Sequence, residues 1–363
     1  MNGPILECIP NFSEGRNPEV IRQITAAIAS VRQVYLLNVD PGYGAHRTVV
    51  TFAGDPEAVI EAAFRGIRTA AEQIDMRRHR GTHPRMGATD VCPLVPISGL
   101  SEAQVLLLAQ RLAARVGHEL GIPVYLYEKS AQTPARSNLA VIRAGEYEGF
   151  REKITRPEWK PDFGPQVFHE TAGQTVIGVR DFLVAYNFNL NTRSAKLAHA
   201  VALDIREKGR VKTEQGKTLH DASGAPLREP GMCKGLKAIG WYIEEYGIAQ
   251  VSANLTDLSQ TSVHAAFEAA RAAAARRGLR VTGSELVGMI PLRCLRDAGR
   301  FYLDKQGLLE EAPAEELVHI AIKSLGLGEL GPFDPQQKII EYRLQTLQPP
   351  PGGELSAPPE GLL

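Results

Sequence analysis

The chain has 363 residues, with 41 Lys and Arg against 41 Asp and Glu, so its formal net charge at pH 7 is zero. This length is enough for two domains, each with its own hydrophobic core. The charge balance argues against a general nucleic-acid binder and against a protein that binds anionic membranes, so any anion site must come from a local cluster of basic residues.

The four cysteines are scattered without Cys-x-x-Cys spacing, which predicts reduced thiols in a cytoplasmic protein. No apolar run approaches the ~18 residues of a membrane span, and the first residues do not resemble a signal peptide. The sequence therefore predicts neither secretion nor a membrane protein.

The first part of the chain alternates short apolar runs with two amphipathic stretches. Asn17 followed by Pro18 predicts the start of one helix, and Asp55 followed by Pro56 predicts the start of another. Strands are predicted at residues 5–9, 34–39, 48–52 and 91–97. The resulting order is β-α-β-β-α-β, which is that of a ferredoxin-like fold.

A further helix and an edge strand follow this unit. Ser101 and Gln104 predict a capping box, and residues 123–127 predict the strand. We interpret the polar, weakly periodic residues 128–165 as a connection between domains. The predicted domains are residues 1–165 and 166–345, followed by a Pro/Gly-rich tail at residues 346–363 that is expected to be disordered.

The second domain is predicted to repeat the same order of elements. Its predicted strands are residues 182–190, 236–243, 248–255 and 281–290, and its first helices are residues 193–207 and 261–277. Residues 209–235 are predicted to form a long mobile loop, and residues 338–344 a last strand.

An alignment within the chain favours an internal duplication. Placing Thr48 on Val251 without gaps superimposes the third strand and the second helix of the two domains. The expected fold class is α+β, with two ferredoxin-like (βαββαβ) subdomains and a cleft between them.

Residues 79–90 have the sequence HRGTHPRMGATD and form the densest cluster of basic groups. Gly81 and Pro84 disfavour a helix, so the segment is predicted to be a loop with a fixed path. It is open to three interpretations: a solvated basic turn, a metal site, or an acid/base histidine among arginines that bind carboxylates. A metal site is disfavoured because His79 and His83 do not share a helix face and no third ligand has suitable spacing.

The same loop resembles a known family. The sequences HPRMGA at residues 83–88, DVCP at 90–93, CIPNFSEG at 8–15 and DFGP at 162–165 are similar to the glutamate formimidoyltransferase family, over about residues 5–345. The resemblance implies transfer of a formimino group from N-formimino-L-glutamate to N5 of tetrahydrofolate in histidine degradation. It implies tetrahydrofolate as a co-substrate and no metal.

The resemblance also implies roles for single residues. His83 matches the family's catalytic histidine, and Asp40 is expected to orient it or to bind the cationic formiminium group; the alternative for Asp40 is an aspartate that starts a turn. Arg47, Arg85 and His79 are the expected substrate-binding residues, although either arginine would alternatively be a surface guanidinium.

The family's folate-binding region is expected at Thr171, Ala172, Gly173, Gln174, Thr175, Val176, Ile177, Gly178, Val179 and Arg180. Gly173 and Gly178 are expected to let the backbone approach a flat pterin, and Arg180 to meet a carboxylate of the folate tail. Ala172 stands where the family pattern often has an aromatic residue. The alternative for this segment is an inter-domain linker.

Two other functions are compatible with these motifs. One is formyl transfer from N-formylglutamate to tetrahydrofolate, and the other is a catalytically inactive folate-binding protein. The intact loop argues against the inactive protein, because a pure binder needs no imidazole there. The expected partners are the two small-molecule substrates, with a homodimer and a separate cyclodeaminase as candidates and neither nucleic acid nor membrane.

Overall fold

The computed structural model describes residues 3–43, 45–81, 84–214, 216–308 and 312–347. The described chain divides into two compact units, and the division falls between Arg180 and Asp181. The predicted catalytic residue His83 lies outside the described residues, as does the predicted tail from residue 348 onward.

The first unit is a mixed sheet with helices on both faces. Its strands are β1 (Ile5–Cys8), β2 (Asn11–Phe12), β3 (Val34–Gly42), β4 (Arg47–Gly54), β5 (Thr89–Ser98), β6 (Val124–Glu128) and β7 (Thr175–Val179). Its helices are α1 (Pro18–Ala29), α2 (Pro56–Gln73), α3 (Glu102–Leu120), α4 (Leu139–Arg143) and α5 (Glu146–Lys153).

The strand order across this sheet is β3, β4, then β1 and β2 together, β5, β7 and β6. β1 and β2 are two parts of one interrupted strand, because each pairs with both β4 and β5. β7 is parallel to both of its neighbours, and the other pairings are antiparallel. The strand order therefore places β5 near the middle of the sheet, and the loop of residues 79–90 leads directly into it.

Apolar cores cover both faces of the sheet. The larger core packs α1, α2 and α3 against one face, with Ile24, Phe64 and Leu112 buried. A smaller core on the other face joins α4 and α5 to β5, β6 and β7, through residues such as Tyr125 and Phe150. Burial of these large side chains supplies the main driving force for folding of this unit.

The unit ends at Arg180, which differs from the boundary predicted at residue 165. The difference arises because β7 hydrogen-bonds to β5 on one side and to β6 on the other. The stretch 128–165, which we interpreted as a connection, also packs within the unit. Arg136 is buried and donates to the Asp162 carboxylate and to the carbonyls of Glu158 and Lys160.

The second unit contains an antiparallel four-stranded sheet. Its strands are β8 (Val184–Leu190), β9 (Arg210–Val211), β10 (Thr213–Glu214), β11 (Lys217–Thr218), β12 (Arg228–Glu229), β13 (Leu236–Ile243), β14 (Ile248–Leu255) and β15 (Val281–Val287). Its helices are α6 (Ala195–Ile205), α7 (Val263–Ala275), α8 (Leu292–Lys305), α9 (Ala314–Leu325), α10 (Pro335–Lys338) and α11 (Ile340–Leu347). The main sheet has the order β13, β14, β8, β15.

Two predictions for this unit were wrong. The segment 209–235 is not simply a loop, because β9 pairs with β12 and β10 pairs with β11 in two short ribbons. Residues 338–344 form helical turns instead of a strand, and Ile339 makes only an isolated bridge to Ile290. Two adjacent isoleucines at positions 339 and 340 favour a strand in the sequence, but here they are buried on turns.

Across the described part of the chain, no helix is both long enough and apolar enough to cross a membrane. The four cysteines, Cys8, Cys92, Cys233 and Cys294, are all buried free thiols.

Candidate active site

Two histidines lie face to face, one of them in the loop of residues 79–90. The rings of His46 and His79 are stacked, with centroids 4.2 Å apart and an interplanar angle of 7°. His46 lies in the turn between β3 and β4 and has φ of +51°, a left-handed conformation that is uncommon outside glycine. Such a residue needs support from its surroundings, and the contacts of the two rings provide it.

The hydrogen bonds of His79 define its tautomer. Its Nε2 is 2.8 Å from the carbonyl oxygen of His46, which can only accept, so Nε2 carries the proton. Its Nδ1 is 3.2 Å from Nε of Arg85, which can only donate, so Nδ1 is unprotonated. Burial lowers the pKa of His79, and the charges of His46 and Arg85 lower it further against the opposing effect of the His46 carbonyl. His79 is thus a neutral residue that joins two segments of the chain.

His46 links the loop to Glu14 in the segment after β2. Its Nδ1 is 3.0 Å from the carbonyl oxygen of Arg80, and its Nε2 is 3.1 Å from Glu14 Oε1. Desolvation raises the pKa of Glu14, but backbone N–H groups of Arg16 and Asn17 and the charge of His46 outweigh it, so the pKa is lowered overall. Glu14 is therefore an ionised acceptor for His46.

Arg85 is held by two carboxylates from the first turn of α5. Its Nη1 donates to Glu146 at 2.9 Å, and Nη2 donates to Glu148 at 2.6 Å. The backbone joins this contact, because Tyr147 N–H donates to the carbonyl oxygen of Arg85 at 2.9 Å. The Arg85 side chain is only 8% exposed, so this guanidinium fastens the loop to α5. Its contacts do not resemble those of a free substrate clamp.

Asp90, at the start of β5, is a second anchor of the loop. One carboxylate oxygen accepts the Met86 N–H at 2.9 Å. The other accepts from Arg47 Nη1 at 2.8 Å and from Arg143 Nη2 at 2.7 Å. Arg47 also donates to Asn11 Oδ1 through Nε and Nη2. Asp90 is buried, whereas each arginine exposes part of its side chain.

The segment before His83 is also tightly packed. A Cβ placed on Gly81 would overlap the carbonyl oxygen of Ala45, so the backbone passes directly against the turn that carries His46. Asp40 lies on β3, opposite Val49 of β4, and its side chain is exposed. Within the described ranges, no group of three or more His, Cys, Asp or Glu side chains is arranged to hold a metal ion.

Comparison with known proteins decides the family. A model of the formiminotransferase domain, N-terminal subdomain, matches residues 5–180, and a model of the formiminotransferase domain matches residues 185–345. The chain belongs to the formiminotransferase domain family. The two matched ranges meet where the two compact units meet.

Proteins of this family are similar along most of the chain. Formimidoyltransferase-cyclodeaminase from Mus musculus is 47% identical over 93% of this chain and 59% of its own length. Glutamate formimidoyltransferases from Streptococcus pyogenes serotype M1 and Thermoplasma acidophilum are each 42% identical, over 82% and 84% of this chain and 93% and 94% of their own lengths. The chain thus spans about three-fifths of the mouse protein and nearly all of the two microbial ones.

The segment expected to bind folate is mostly inside the formiminotransferase N-terminal unit. Its residues 175–179 form β7, and the residues from 172 to 179 are buried. A Cβ on Gly178 would overlap the Tyr127 carbonyl oxygen, and a Cβ on Gly173, at φ of +68°, would overlap that of Met86. These glycines therefore permit strand packing, which is a different reason from the approach of a pterin. Only Thr171 and Arg180 are partly exposed.

Several site residues were absent from the sequence-based set. Glu14 and Asp90 lie within the motifs that carry the resemblance, and His46 directly precedes Arg47, so these positions in the sequence were an available signal. Arg143 and Glu146 were missed because residues 128–165 looked like a connection. The arrangement joins β2, the β3–β4 turn, the loop, β5 and α5 into one polar site.

Proposed function

We propose that this chain is a glutamate formimidoyltransferase, which moves the formimino group of N-formimino-L-glutamate to N5 of tetrahydrofolate and releases glutamate. The observation that carries the proposal is the 42% identity to the Streptococcus pyogenes enzyme over 93% of that enzyme's length. The proposal assigns the chain to the one-carbon-group transferases and makes tetrahydrofolate its co-substrate.

The reaction sets a clear chemical requirement. Attack of the folate nitrogen on the amidine carbon gives a tetrahedral intermediate, and the glutamate nitrogen must be protonated before it leaves. An imidazole is suited to this task because it both accepts and donates protons near neutral pH. We assign this role to His83, since it matches the family's catalytic histidine, and Gly81 and Arg85 on either side of it are held by the contacts described above.

The remaining roles follow from exposure. We assign Asp40, whose carboxylate is exposed, to the cationic formiminium group, and Arg47 to a substrate carboxylate. Because His79 and Arg85 are committed to each other and to α5, we propose that they position the loop. For the folate segment, we limit the proposed contacts to Thr171 and Arg180, its two partly exposed residues.

We also infer that the two units arose by duplication of a ferredoxin-like precursor. When β1 and β2 are counted as one strand, the order in the first unit is β3, β4, β1 with β2, β5, and the order in the second unit is β13, β14, β8, β15. In each unit, the strand that comes first along the chain therefore lies between the third and the fourth, and the second strand lies at the edge next to the third. The alignment of Thr48 with Val251 supports this inference, because it pairs buried Phe64 with buried Phe267. A cytoplasmic homodimer in histidine degradation, acting with a separate cyclodeaminase, is part of the proposal on the basis of the family resemblance.

An assay with both donors tests the function. Purified chain is incubated with tetrahydrofolate and either N-formimino-L-glutamate or N-formyl-L-glutamate, and product formation is followed by ultraviolet absorbance. We expect product with the formimino donor and a loss of roughly 10² to 10⁴ in turnover for His83→Ala with little change in substrate binding. Product with only the formyl donor favours formyl transfer, and folate binding without either reaction favours an inactive binding protein. Normal turnover by a folded His83→Ala variant contradicts the catalytic assignment.

A further inference from the structure

Two arginines converge on the carboxylate of Asp90. Arg47 and Arg143 approach the same oxygen, Oδ2, at 2.8 and 2.7 Å, while Oδ1 is occupied by the Met86 N–H. Two guanidiniums thus share one carboxylate, and this trio has a formal charge of +1. The side chains of Arg47 and Arg143 are 14% and 15% exposed, so both reach the surface of the unit.

Arg143 also has an unsatisfied donor. Its Nε is buried and has no hydrogen-bond partner among the described residues. Buried donors are nearly always paired in folded proteins, because an unpaired one loses its hydration without compensation. Among the residues that the structure describes, Asp90 is the one ion-pair partner of Arg143. This guanidinium therefore retains the capacity to bind another anion.

The backbone that carries Arg143 is held in place despite this incomplete pairing. Nζ of Lys153 donates to the carbonyl oxygens of Val141, Ile142 and Ala144, at 3.0, 2.7 and 2.9 Å. The ammonium group also lies 3.8 Å from the centroid of the Trp159 ring, a cation–π contact. The end of α4 is therefore fixed, and Arg143 is presented at a fixed position beside Asp90.

We infer that Arg143, together with Arg47, binds a carboxylate group of the glutamate donor; this inference rests on the proposed function. Arg47 directly follows His46, and Asp90 holds the backbone of Met86, so the two arginines border the loop that contains His83. A carboxylate matches the fork of an arginine and would neutralise the formal charge of +1 on the group formed by Asp90, Arg47 and Arg143. Arg143 therefore has the role in binding a substrate carboxylate that the sequence suggested for Arg85.

The charges of Arg47 and Arg143 repel each other. Burial lowers the pKa of Arg47, the charge of Asp90 raises it, and the charge of Arg143 lowers it again. Asp90 offsets part of this repulsion, and a second anion bound by the two guanidiniums would offset it further.

Donor analogues provide the test. The kinetic constants of the wild type, Arg143→Ala and Arg143→Lys are measured with N-formimino-L-glutamate and with two analogues, each lacking one of its two carboxylates. Arg111→Ala is the matched control, because Arg111 lies on α3 and pairs with Glu57 at the surface. Thermal melts show that each variant is folded.

We expect the KM of Arg143→Ala for the donor to rise roughly 10- to 100-fold, with a much smaller change in kcat. The analogue that lacks the carboxylate bound by Arg143 should be a poor substrate for the wild type. The Arg143→Ala substitution should not lower kcat/KM for this analogue any further. Arg143→Lys should be intermediate, because it keeps the charge and loses the fork, and Arg111→Ala should match the wild type. An unchanged donor KM, or a rise confined to the KM for tetrahydrofolate, overturns the inference.

A binding measurement separates this inference from the proposed function. Calorimetric titration with L-glutamate needs no turnover, so it reports on the anion site even if the wild type transfers no formimino group. Binding by the wild type that is lost in Arg143→Ala supports the site. Equal binding by the wild type and Arg143→Ala contradicts it, whatever the outcome of the transfer assay.

Discussion

His79 shows at the scale of one residue how burial changes a functional assignment. Its ring is stacked on His46, donates to the His46 carbonyl oxygen and accepts from Arg85. We expect His79→Ala to lower the free energy of unfolding by about 2–4 kcal/mol, because it removes both hydrogen bonds and leaves Nε of Arg85 unpaired in the interior. Chemical denaturation measures the change. His118→Ala, at an exposed position of α3, is the control, and an equal effect of the two substitutions would contradict a structural role.

The neutral state of His79 gives a pH dependence of defined sign. Its pKa is lowered below the ordinary value of 6.5, so an unfolded chain takes up the proton first as the pH falls. The stability associated with neutral His79 is complete above pH 6.5 and is lost as the pH falls from 6.5 towards the folded-state pKa. Unfolding free energies of the wild type and His79→Gln, measured from pH 7.5 to 5, should converge towards acid pH. Parallel curves would exclude this contribution.

Gly178 reverses an expectation drawn from the sequence. A glycine in a folate segment suggested that Gly178→Val would weaken folate binding in an intact fold. Because a Cβ at Gly178 would overlap the Tyr127 carbonyl oxygen, we now expect the valine to separate β7 from β6 and to lower the melting temperature or prevent folding. Gly149→Ala is the control, since Gly149 lies in α5 with open space around its Cα. A well-folded Gly178→Val variant with weakened folate binding would favour the original expectation.

The residues of the site were only partly predictable from the sequence. Composition drew attention to His79 and Arg85, because histidines and arginines are concentrated in one short loop. The sequence does not indicate which arginine is buried between carboxylates, and that difference separates Arg85 from Arg143. The two carboxylate partners of Arg85 are more than 60 residues away along the chain, so their contact depends on the tertiary structure.

At the scale of elements, the end of α4 depends on one buried ammonium group. Burial and the charge of Arg156 lower the pKa of Lys153 to about 8. The charged form has three N–H donors for the carbonyls of Val141, Ile142 and Ala144, whereas the neutral amine has two. Loss of the proton therefore leaves one carbonyl without a partner and loosens the backbone that carries Arg143.

We expect the wild-type KM for the glutamate donor to rise as the pH increases above about 8. Lys153→Met should have a high KM throughout and no further rise in this range. The free energy of unfolding should instead increase with pH in this range. The pKa of Lys153 in the folded state lies below its ordinary value of 10.5, so the unfolded chain binds more protons between these two values. The stability therefore increases from about pH 8 to 10.5. Steady-state kinetics and denaturation at matched pH values test the rise in the donor KM and the rise in stability. A pH-independent KM would exclude the positioning role of Lys153.

Elements with local signals were predicted, and elements without them were missed. The caps at Asn17, Asp55 and Ser101 accept backbone N–H groups as their residue types indicate. In contrast, β7 is buried on both faces between parallel neighbours, so its short run TVIGV has no polar alternation, and Gly178 interrupts its β-branched residues. The helix α4 has only five residues, too few for a visible period.

At the scale of the whole molecule, the position of β7 determines where the chain can be divided. A fragment of residues 1–165 lacks β7 and therefore leaves the edges of β5 and β6 unpaired, together with part of both cores. A fragment of residues 1–180 keeps the complete sheet. We expect the longer fragment to give a cooperative thermal transition and the shorter one to aggregate or to lack a transition, because exposed strand edges and unfilled cores favour association. Circular dichroism melts and size-exclusion chromatography of the two fragments make the comparison. Cooperative folding of residues 1–165 would show that β7 is an appendage of the first unit, and it would restore the boundary expected from the sequence.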